Sequence, residues 1–185
     1  SSAASDVYKR QGLQMVKSST PAAIREKLKD SLYTILTGTE ADVQKYVADF
    51  KQHFRELGIE EIAFPRSISD VAKYQSDTSI YKKGTPIHVR GALMYNHYLK
   101  RMGLTKKYPL IREGDKIKFT YVKTPNPFQE DCISFPDKLP EEFELNKYVD
   151  YDMMFEKTFQ DAVQNILDAV GWNAETKPTL EDFFA

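Results

Sequence analysis

Cysteine is nearly absent from this chain, and membrane and export signals are missing altogether. Cys132 is the single cysteine among 185 residues, so the chain has no second thiol for an internal disulfide or a thiolate zinc site. No apolar run approaches the roughly 18 to 20 residues needed to cross a bilayer. No basic, apolar and small-residue signal sequence opens the chain. We therefore expect a soluble, intracellular protein.

Nucleotide loops and metal-ligand spacings are also missing. Neither GxxxxGK[ST] nor GxGxxG occurs, and the three histidines show no HExxH spacing. A mononucleotide site and a metal site therefore have little support. Two carboxylate pairs, Asp150 with Asp152 and Glu141 with Glu142, fall at predicted helix starts, where acids interact favourably with the helix dipole. We expect no catalytic or metal-binding role for them.

Charge, by contrast, is abundant and unevenly distributed, although the formal net charge is −1. Residues 82–123 contain 11 Lys and Arg against two acids, or about +9, whereas residues 124–185 contain four Lys against 14 acids, or about −10. Clustered cationic side chains bind polyanions by releasing counterions. Nucleic acid is the leading partner hypothesis. The alternative is that the basic runs are ordinary solvated faces.

Apolar residues at helical spacing predict four long helices. The first has Thr20 as its cap and Pro21 at its first position, and Gly38 stops it. The third has Thr85 and Pro86 in the same arrangement and ends at Gly103. The other two predicted helices run from Thr39 to Gly58 and from Tyr151 to Val170, where Gly171 terminates the helix.

Shorter patterns complete the predicted architecture. Alternation predicts a strand over Asp115–Val122, and a short apolar run predicts another over Cys132–Phe135. Ile59–Phe64 is typical of a short strand, and Ser69–Tyr74 of one or two helical turns. The fold class that follows is α+β: a mainly helical domain with a small antiparallel sheet inserted at about residues 104–136.

The start of the third helix is the strongest candidate site. Lys82, Lys83 and the flexible Gly84 precede it, where free N–H groups and the positive end of the helix dipole would meet a phosphate. Thr85 is at the start itself, and the residues His88 and Arg90 in the first turn could reach a neighbouring phosphate or sugar. An ordinary capped helix with exposed charges is the alternative. Lys116 and Lys118 add a basic face to the predicted strand.

The C-terminus ends an acidic segment with three apolar residues, Leu180, Phe183 and Phe184. An exposed chain end gains nothing from two phenylalanines unless something covers them. Either these side chains fold back onto the core, or they dock in the groove of a partner protein.

These patterns resemble the C-terminal thumb of the T-even-type bacteriophage DNA polymerases, which are members of family B. The resemblance covers about residues 12–185, and its most specific element is the His-x-Arg-Gly at the third helix. The matching motifs are Gly12-Leu13, Lys17-Ser18-Ser19-Thr20-Pro21, Lys83-Gly84-Thr85-Pro86-Ile87-His88-Val89-Arg90-Gly91-Ala92-Leu93-Met94-Tyr95-Asn96, Asn126-Pro127-Phe128, Tyr151 and Glu156-Lys157-Thr158-Phe159. Residues 1–11 depart from the pattern and are expected to be a non-native extension.

The resemblance implies a fragment of a replicative DNA-directed DNA polymerase. It implies that residues 12–171 form the thumb and grip primer–template duplex through its backbone, with contacts from Lys83, His88, Arg90, Tyr95 and Asn96. It implies that residues 172–185 form a tail whose Leu180, Phe183 and Phe184 dock on the sliding clamp.

The resemblance also implies what this segment lacks. The family's palm carboxylates and its Mg²⁺ precede the thumb and have no counterpart here. The chain should therefore need no cofactor of its own and should not make a phosphodiester bond alone. Its partners would be duplex DNA, the sliding clamp and the remaining polymerase domains, in the cytoplasm of an infected bacterium.

Two other functions remain open at this point. The chain could be a protein-interaction module that acts through its acidic half and its terminal phenylalanines. It could also be a small independent enzyme, which would require acids, bases or metal ligands that converge in one cleft.

Overall fold

The structure of the chain is a computed structural model that describes residues 17–176 together with Leu180 and Phe184. Residues 1–16, Phe183 and their predicted roles lie outside the described residues. The chain divides into two compact units, one formed up to Leu57 and again from Phe155 onward, the other by Gly58–Met154. Within the described ranges, no helix is long and apolar enough to span a membrane.

The first unit begins with helix α1, Ala22–Thr37, which buries Ile24, Leu28, Ser31 and Ile35. The N-cap is Pro21 rather than the predicted Thr20, and its fixed φ of −55° leads directly into the helix. Gly38 ends the helix as predicted, and its backbone N–H donates to the Thr34 carbonyl.

Helix α2, Glu40–Phe54, begins with a complete capping box. The Thr39 hydroxyl accepts the Asp42 N–H at 3.2 Å, and the Asp42 carboxylate accepts the Thr39 N–H at 2.9 Å. Hydrogen bonding of the carboxylate to the Thr39 backbone N–H, and then to the Thr39 hydroxyl, lowers the pKa of Asp42. The predicted extension to Gly58 is wrong. The helix ends at Phe54, and Gly58 is the N-cap of a short helix α3, Ile59–Ile62, where Glu61 accepts its N–H.

From Phe155 onward, the last long helix supplies the other half of this unit's core. It runs as α6, Tyr151–Phe155, a π turn, Glu156–Gln160, and α7, Asp161–Leu167, with a final 3₁₀ turn, Asp168–Val170. Gly171 ends it at φ 72°, as the sequence predicts. Phe50 and Phe159 meet edge to face at 4.8 Å between centroids, and Phe54 meets Phe155 at 5.3 Å. Burial of each ring contributes on the order of 2 kcal/mol.

The second unit is built around a three-stranded antiparallel sheet in the order β1-β2-β3. Strand β1 is Phe64–Ser67, β2 is Lys116–Tyr121 and β3 is Cys132–Phe135. The last two confirm the predicted strands. The predicted strand Ile59–Phe64 is wrong, because α3 occupies most of it and pairing starts only at Phe64, opposite Phe119. One strand therefore comes from before the predicted insertion. The α+β class with a small antiparallel sheet is confirmed.

Helix α4, Val71–Tyr74, confirms the predicted turn, and helix α5, Ile87–Arg101, is the long helix of this unit. Helix α5 packs mainly against β3. A Cβ on Gly91 would lie 2.7 Å from the backbone nitrogen of Ser134, so glycine permits this close approach. The Ser134 hydroxyl donates to the His88 carbonyl at 2.8 Å, and the Cys132 thiol donates to the Ile87 carbonyl at 3.6 Å.

Candidate nucleic-acid interface

The segment that leads into α5 presents two lysines. Lys82 and Lys83 are both exposed, and Gly84 turns the chain at φ 84°. Thr85 is not the cap that the sequence predicts. Its hydroxyl donates back to the Lys82 carbonyl, and Pro86 is the N-cap.

The N-terminus of α5 lacks the capping that α2 has. No described side chain caps α5, and its first turn has no acid, whereas α2 has both Glu40 and Asp42. The positive end of the α5 dipole is therefore not offset by an acidic side chain of its own first turn. An anion near Lys82 and Lys83 would meet both the dipole and two ammonium groups.

His88 is half-buried at this helix start and is held by the sheet. Its ring lies 6.5 Å from the Phe119 ring and hydrogen-bonds the Ser67 backbone. Burial, and then the positive charge of nearby Arg66, lower the pKa of His88 below 6.5, and the bond to Ser67 opposes this only in part. His88 is therefore mostly neutral at pH 7 and can offer a hydrogen bond but little charge.

Arg90 is paired within its own unit. Its Nη1 lies 2.9 Å from Asp131 Oδ1 and 3.2 Å from Glu130 Oε2, and its guanidinium lies over the Tyr81 ring at 5.8 Å. Only 22% of the Arg90 side chain is exposed. The sequence predicts Arg90 as a phosphate contact, but two carboxylates already neutralise its charge.

Tyr95 and Asn96 form hydrogen bonds inside the unit. Tyr95 is fully buried, and its hydroxyl donates to the Pro109 carbonyl at 2.8 Å. The Asn96 amide donates to the Ile111 carbonyl and accepts the Ile111 N–H, both at 2.8 Å. These bonds fix the loop before β2 to α5. They give both residues a role inside the unit that needs no DNA contact.

Lys116 and Lys118 lie on the other side of the sheet from His88. Phe119 of β2 faces the His88 ring of α5. Because successive side chains of a strand point to opposite faces of the sheet, Lys116 and Lys118 lie on the face away from α5. The Lys118 ammonium donates to the Glu60 carbonyl at 3.0 Å, whereas Lys116 is exposed. The structure does not bring these lysines together with the α5 start.

The charge segregation of the sequence disappears in the folded unit. Gly58–Met154 contains 15 Lys and Arg and 14 Asp and Glu, because the loop before β3 and the turns after it return acids to the unit that carries the basic block. The Arg90 pairs are one instance. A phosphate would therefore bind to local cationic groups rather than to a unit of high positive charge.

Sequence reasoning missed Arg66. Its guanidinium lies over the Phe64 ring at 5.1 Å and over the Phe119 ring at 5.2 Å, close enough to His88 to lower the pKa of that residue. No local signal could have identified it, because the pairing of β1 with β2 creates its surroundings.

No catalytic constellation emerges among the described residues. No group of three or more His, Cys, Asp or Glu lies close enough to hold a metal ion within the described part of the chain. Burial raises the pKa of the Cys132 thiol to about 12, so it remains protonated at neutral pH. One depression of about 570 Å³ is lined by Asp70 and Glu113 among others, but the Glu113 carboxylate accepts the N–H groups of Asp70 and Val71 and so acts as a helix cap.

The two described residues nearest the C-terminus, Leu180 and Phe184, are exposed. Leu180 is 77% exposed and Phe184 is 86% exposed. Neither side chain is covered by the fold in this structure. An apolar side chain in this setting is available to a partner.

No protein-family model matches this chain. It is 30% identical over 177 residues to the DNA-directed DNA polymerase of Enterobacteria phage T4, and 33% identical over 178 residues to the DNA-directed DNA polymerase of Escherichia phage RB69. Each match covers 94% of the chain.

The chain is homologous to part of a phage DNA polymerase. It spans 19% of the length of each of these two relatives. The α5 start combines exposed lysines with a helix end that no described side chain caps, and Arg90, Tyr95 and Asn96 make contacts within the unit.

Proposed function

We propose that this chain is the thumb region of a phage replicative DNA polymerase and binds primer–template duplex through its sugar-phosphate backbone. The single observation that supports this most is the homology to two phage DNA polymerases over 94% of the chain. Its setting would be the cytoplasm of an infected bacterium, beside the remaining polymerase domains.

The contacts we propose are a subset of those the sequence predicts. Lys82 and Lys83 supply charge, and the first N–H groups of α5 supply oriented donors. His88 adds a neutral donor or acceptor. A polymerase must move over any sequence, and phosphate contacts position a protein on DNA without reading bases. Lys116 and Lys118, on the other side of the sheet, would not share this contact.

The tail has a separate role in this proposal. Residues 172–185 form a clamp-binding tail behind the thumb region, residues 12–171, and residues 1–11 are a non-native extension. The exposed Leu180 and Phe184 support docking on the sliding clamp. Acidic residues in the tail suit a protein partner better than DNA, which would repel them. Nucleotide transfer and its Mg²⁺ belong to the palm of the parent enzyme.

A salt titration tests the duplex-binding proposal. Fluorescence anisotropy of a labelled 20-base-pair duplex should show weak binding at low salt, with little dependence on sequence. The logarithm of the affinity should fall with the logarithm of the salt concentration by about 0.9 for each phosphate contacted. Binding that is independent of salt, or no binding at low salt, would overturn the proposal.

A matched double variant locates the surface. Lys82→Ala with Lys83→Ala should weaken binding and reduce the salt slope. The control is Lys138→Ala with Lys147→Ala, which removes the same charge from exposed positions elsewhere in the unit. Equal losses in the two double variants would mean that net charge, rather than this surface, binds the duplex.

The second candidate is a protein-interaction module that acts through the acidic half and the tail. The exposure of Leu180 and Phe184 favours it. Deletion of the chain after Pro178 discriminates between the two. Under the favoured proposal, the deletion abolishes clamp binding and leaves duplex binding intact. If the chain is instead a protein-interaction module, it binds no duplex before the deletion, and the deletion removes its protein binding.

A further inference from the structure

Tyr81, Arg90 and Glu130 form one hydrogen-bonded network at the α5 start. The Tyr81 hydroxyl donates to Glu130 Oε1 at 2.7 Å, and Arg90 Nη1 lies 3.2 Å from Glu130 Oε2. Each carboxylate oxygen of Glu130 therefore has its own donor. Asp131 contributes a second carboxylate to Arg90, at 2.9 Å.

Because this network is partly buried, the loss of one partner would leave the other charge unpaired and poorly solvated, which costs more than at a surface ion pair. The Arg90 and Glu130 side chains are 22% and 19% exposed. Exposed ion pairs contribute about 0.2–1 kcal/mol because water screens them, and partial burial reduces that screening. The Tyr81 bond adds a neutral donor to the same carboxylate.

Glu130 is itself held on a fixed loop. The Asn126 side chain donates to the Glu130 carbonyl at 2.6 Å and to the Lys123 carbonyl at 2.9 Å, and its oxygen accepts the Phe128 N–H at 2.9 Å. Asn126 is buried. The Asn-Pro-Phe segment thus closes the turn that presents Glu130 to Tyr81.

On the other side of the network, Tyr81 fixes the chain that carries the two lysines. Lys82 follows Tyr81 directly, and its N–H donates to the Tyr74 carbonyl at 2.9 Å. The Lys82 carbonyl accepts the Thr85 N–H at 3.3 Å. Anchoring Tyr81 therefore limits where Lys82 and Lys83 can lie relative to the first turn of α5.

We infer that Glu130, through Tyr81 and Arg90, is a positioning residue that holds Lys82 and Lys83 at the α5 start for phosphate binding. This inference rests on the proposed duplex binding and assigns Arg90 to the network rather than to the DNA. A preorganised pair of cations loses less conformational entropy on binding than two lysines on a loose segment.

Glu130→Ala gives a test in which two effects have opposite signs. Removal of a negative charge near a polyanion-binding surface should by itself strengthen duplex binding. Loss of positioning should weaken it, and we expect an affinity about three- to tenfold lower. The control Glu141→Ala removes the same charge from an exposed position in the same unit and should leave the affinity equal or slightly higher.

Tyr81→Phe provides a second variant with no change of charge, which keeps the inference testable if Glu130→Ala does not fold. It retains the ring and removes the bond to Glu130, and it should also weaken binding. Hydrogen exchange gives a readout that needs no DNA: the Lys82 and Thr85 amides should exchange faster in both variants, while the β3 amides keep their protection.

The outcomes separate the two proposals. Duplex binding by Glu130→Ala that is as tight as or tighter than wild type, or unchanged exchange at Lys82 and Thr85 in Tyr81→Phe, would overturn the positioning role. If the wild-type chain binds no duplex at low salt, the proposed function fails instead. Even then, a comparison of amide hydrogen exchange at Lys82 and Thr85 between wild type and Tyr81→Phe would decide whether the Tyr81–Glu130 bond holds this segment in place.

Discussion

Gly91 lies against Ser134 so closely that a Cβ on Gly91 would be 2.5 Å from the Ser134 hydroxyl oxygen. This contact sets the distance between α5 and β3. Each specific residue of the His-x-Arg-Gly segment has a contact within this unit. His88 hydrogen-bonds the Ser67 backbone, Arg90 pairs with two acids, and Gly91 lies against β3. The segment first serves to dock the helix that carries the candidate site.

Gly91→Ala should destabilise the protein. In an open helix this change gains about 0.8–1 kcal/mol, but here the added Cβ also meets the Ser134 backbone nitrogen at 2.7 Å. We expect a net loss of about 1–3 kcal/mol in the free energy of unfolding, measured by urea denaturation. Ser134→Ala in the same chain should not rescue it, because the backbone clash remains. A Gly91→Ala variant as stable as wild type would contradict the contact.

Arg90→Ala and Lys83→Ala should differ in their salt dependence. A lysine that contacts a phosphate contributes to the counterion term, so Lys83→Ala should reduce the salt slope by about 0.9. Arg90→Ala should weaken binding with an unchanged slope, because its charge is paired with Glu130 and Asp131. Anisotropy titrations at four salt concentrations measure both. If both variants reduce the salt slope of duplex binding equally, Arg90 contacts a DNA phosphate after all.

Acidification should destabilise the chain partly through His88. Its pKa in the folded protein is below 6.5, so the unfolded chain binds the proton more readily. The contribution of neutral His88 to the free energy of unfolding is therefore complete above about pH 6.5. It falls as the pH drops below 6.5 toward the pKa that His88 has in the folded protein. His88→Gln should lose less stability than wild type between about pH 7 and pH 5, measured by thermal melts. Parallel losses in the two proteins would be inconsistent with the lowered pKa.

A phosphate contact at His88 should couple duplex binding to proton uptake. A nearby phosphate favours the charged imidazole and raises its pKa in the complex. The affinity of wild type should then rise more steeply than that of His88→Gln as the pH is lowered from about 7.5 to about 5.5. Identical pH profiles in the two proteins would remove His88 from the proposed contacts and leave Lys82 and Lys83 unaffected.

The exposed tail residues should matter only for the protein partner. If the proposed clamp docking holds, Leu180→Ala with Phe184→Ala should weaken binding to the sliding clamp by tenfold or more, on the order expected for buried apolar anchors. Met102→Ala removes another exposed apolar side chain and serves as the control. Calorimetry measures clamp binding, and duplex affinity should be the same in all three proteins. A loss of duplex affinity in the tail variant would indicate that the tail supports the fold.

The sequence was a good guide wherever structure depends on neighbours in the chain. The capping box of Thr39 and Asp42, the stop at Gly171 and the strand Cys132–Phe135 all follow from short-range patterns. It failed at Ile59–Phe64, where the apolar run suits a strand but Gly58 and Glu61 cap a helix turn. Pairing with β2 begins only at Phe64, opposite Phe119. No pattern of neighbouring residues could predict a pairing partner so distant in the sequence.

The sequence by itself determined the four long helices, two of the three strands and the concentration of cations before and after α5, because periodicity, caps and charge are local properties. The tertiary structure alone decided which cations remain available. Folding brings Glu130 and Asp131 to Arg90 and places Lys116 and Lys118 on the far side of the sheet from His88. Ion pairing falls off with distance in space rather than along the chain, so only the fold could separate the exposed Lys82 and Lys83 from the neutralised Arg90.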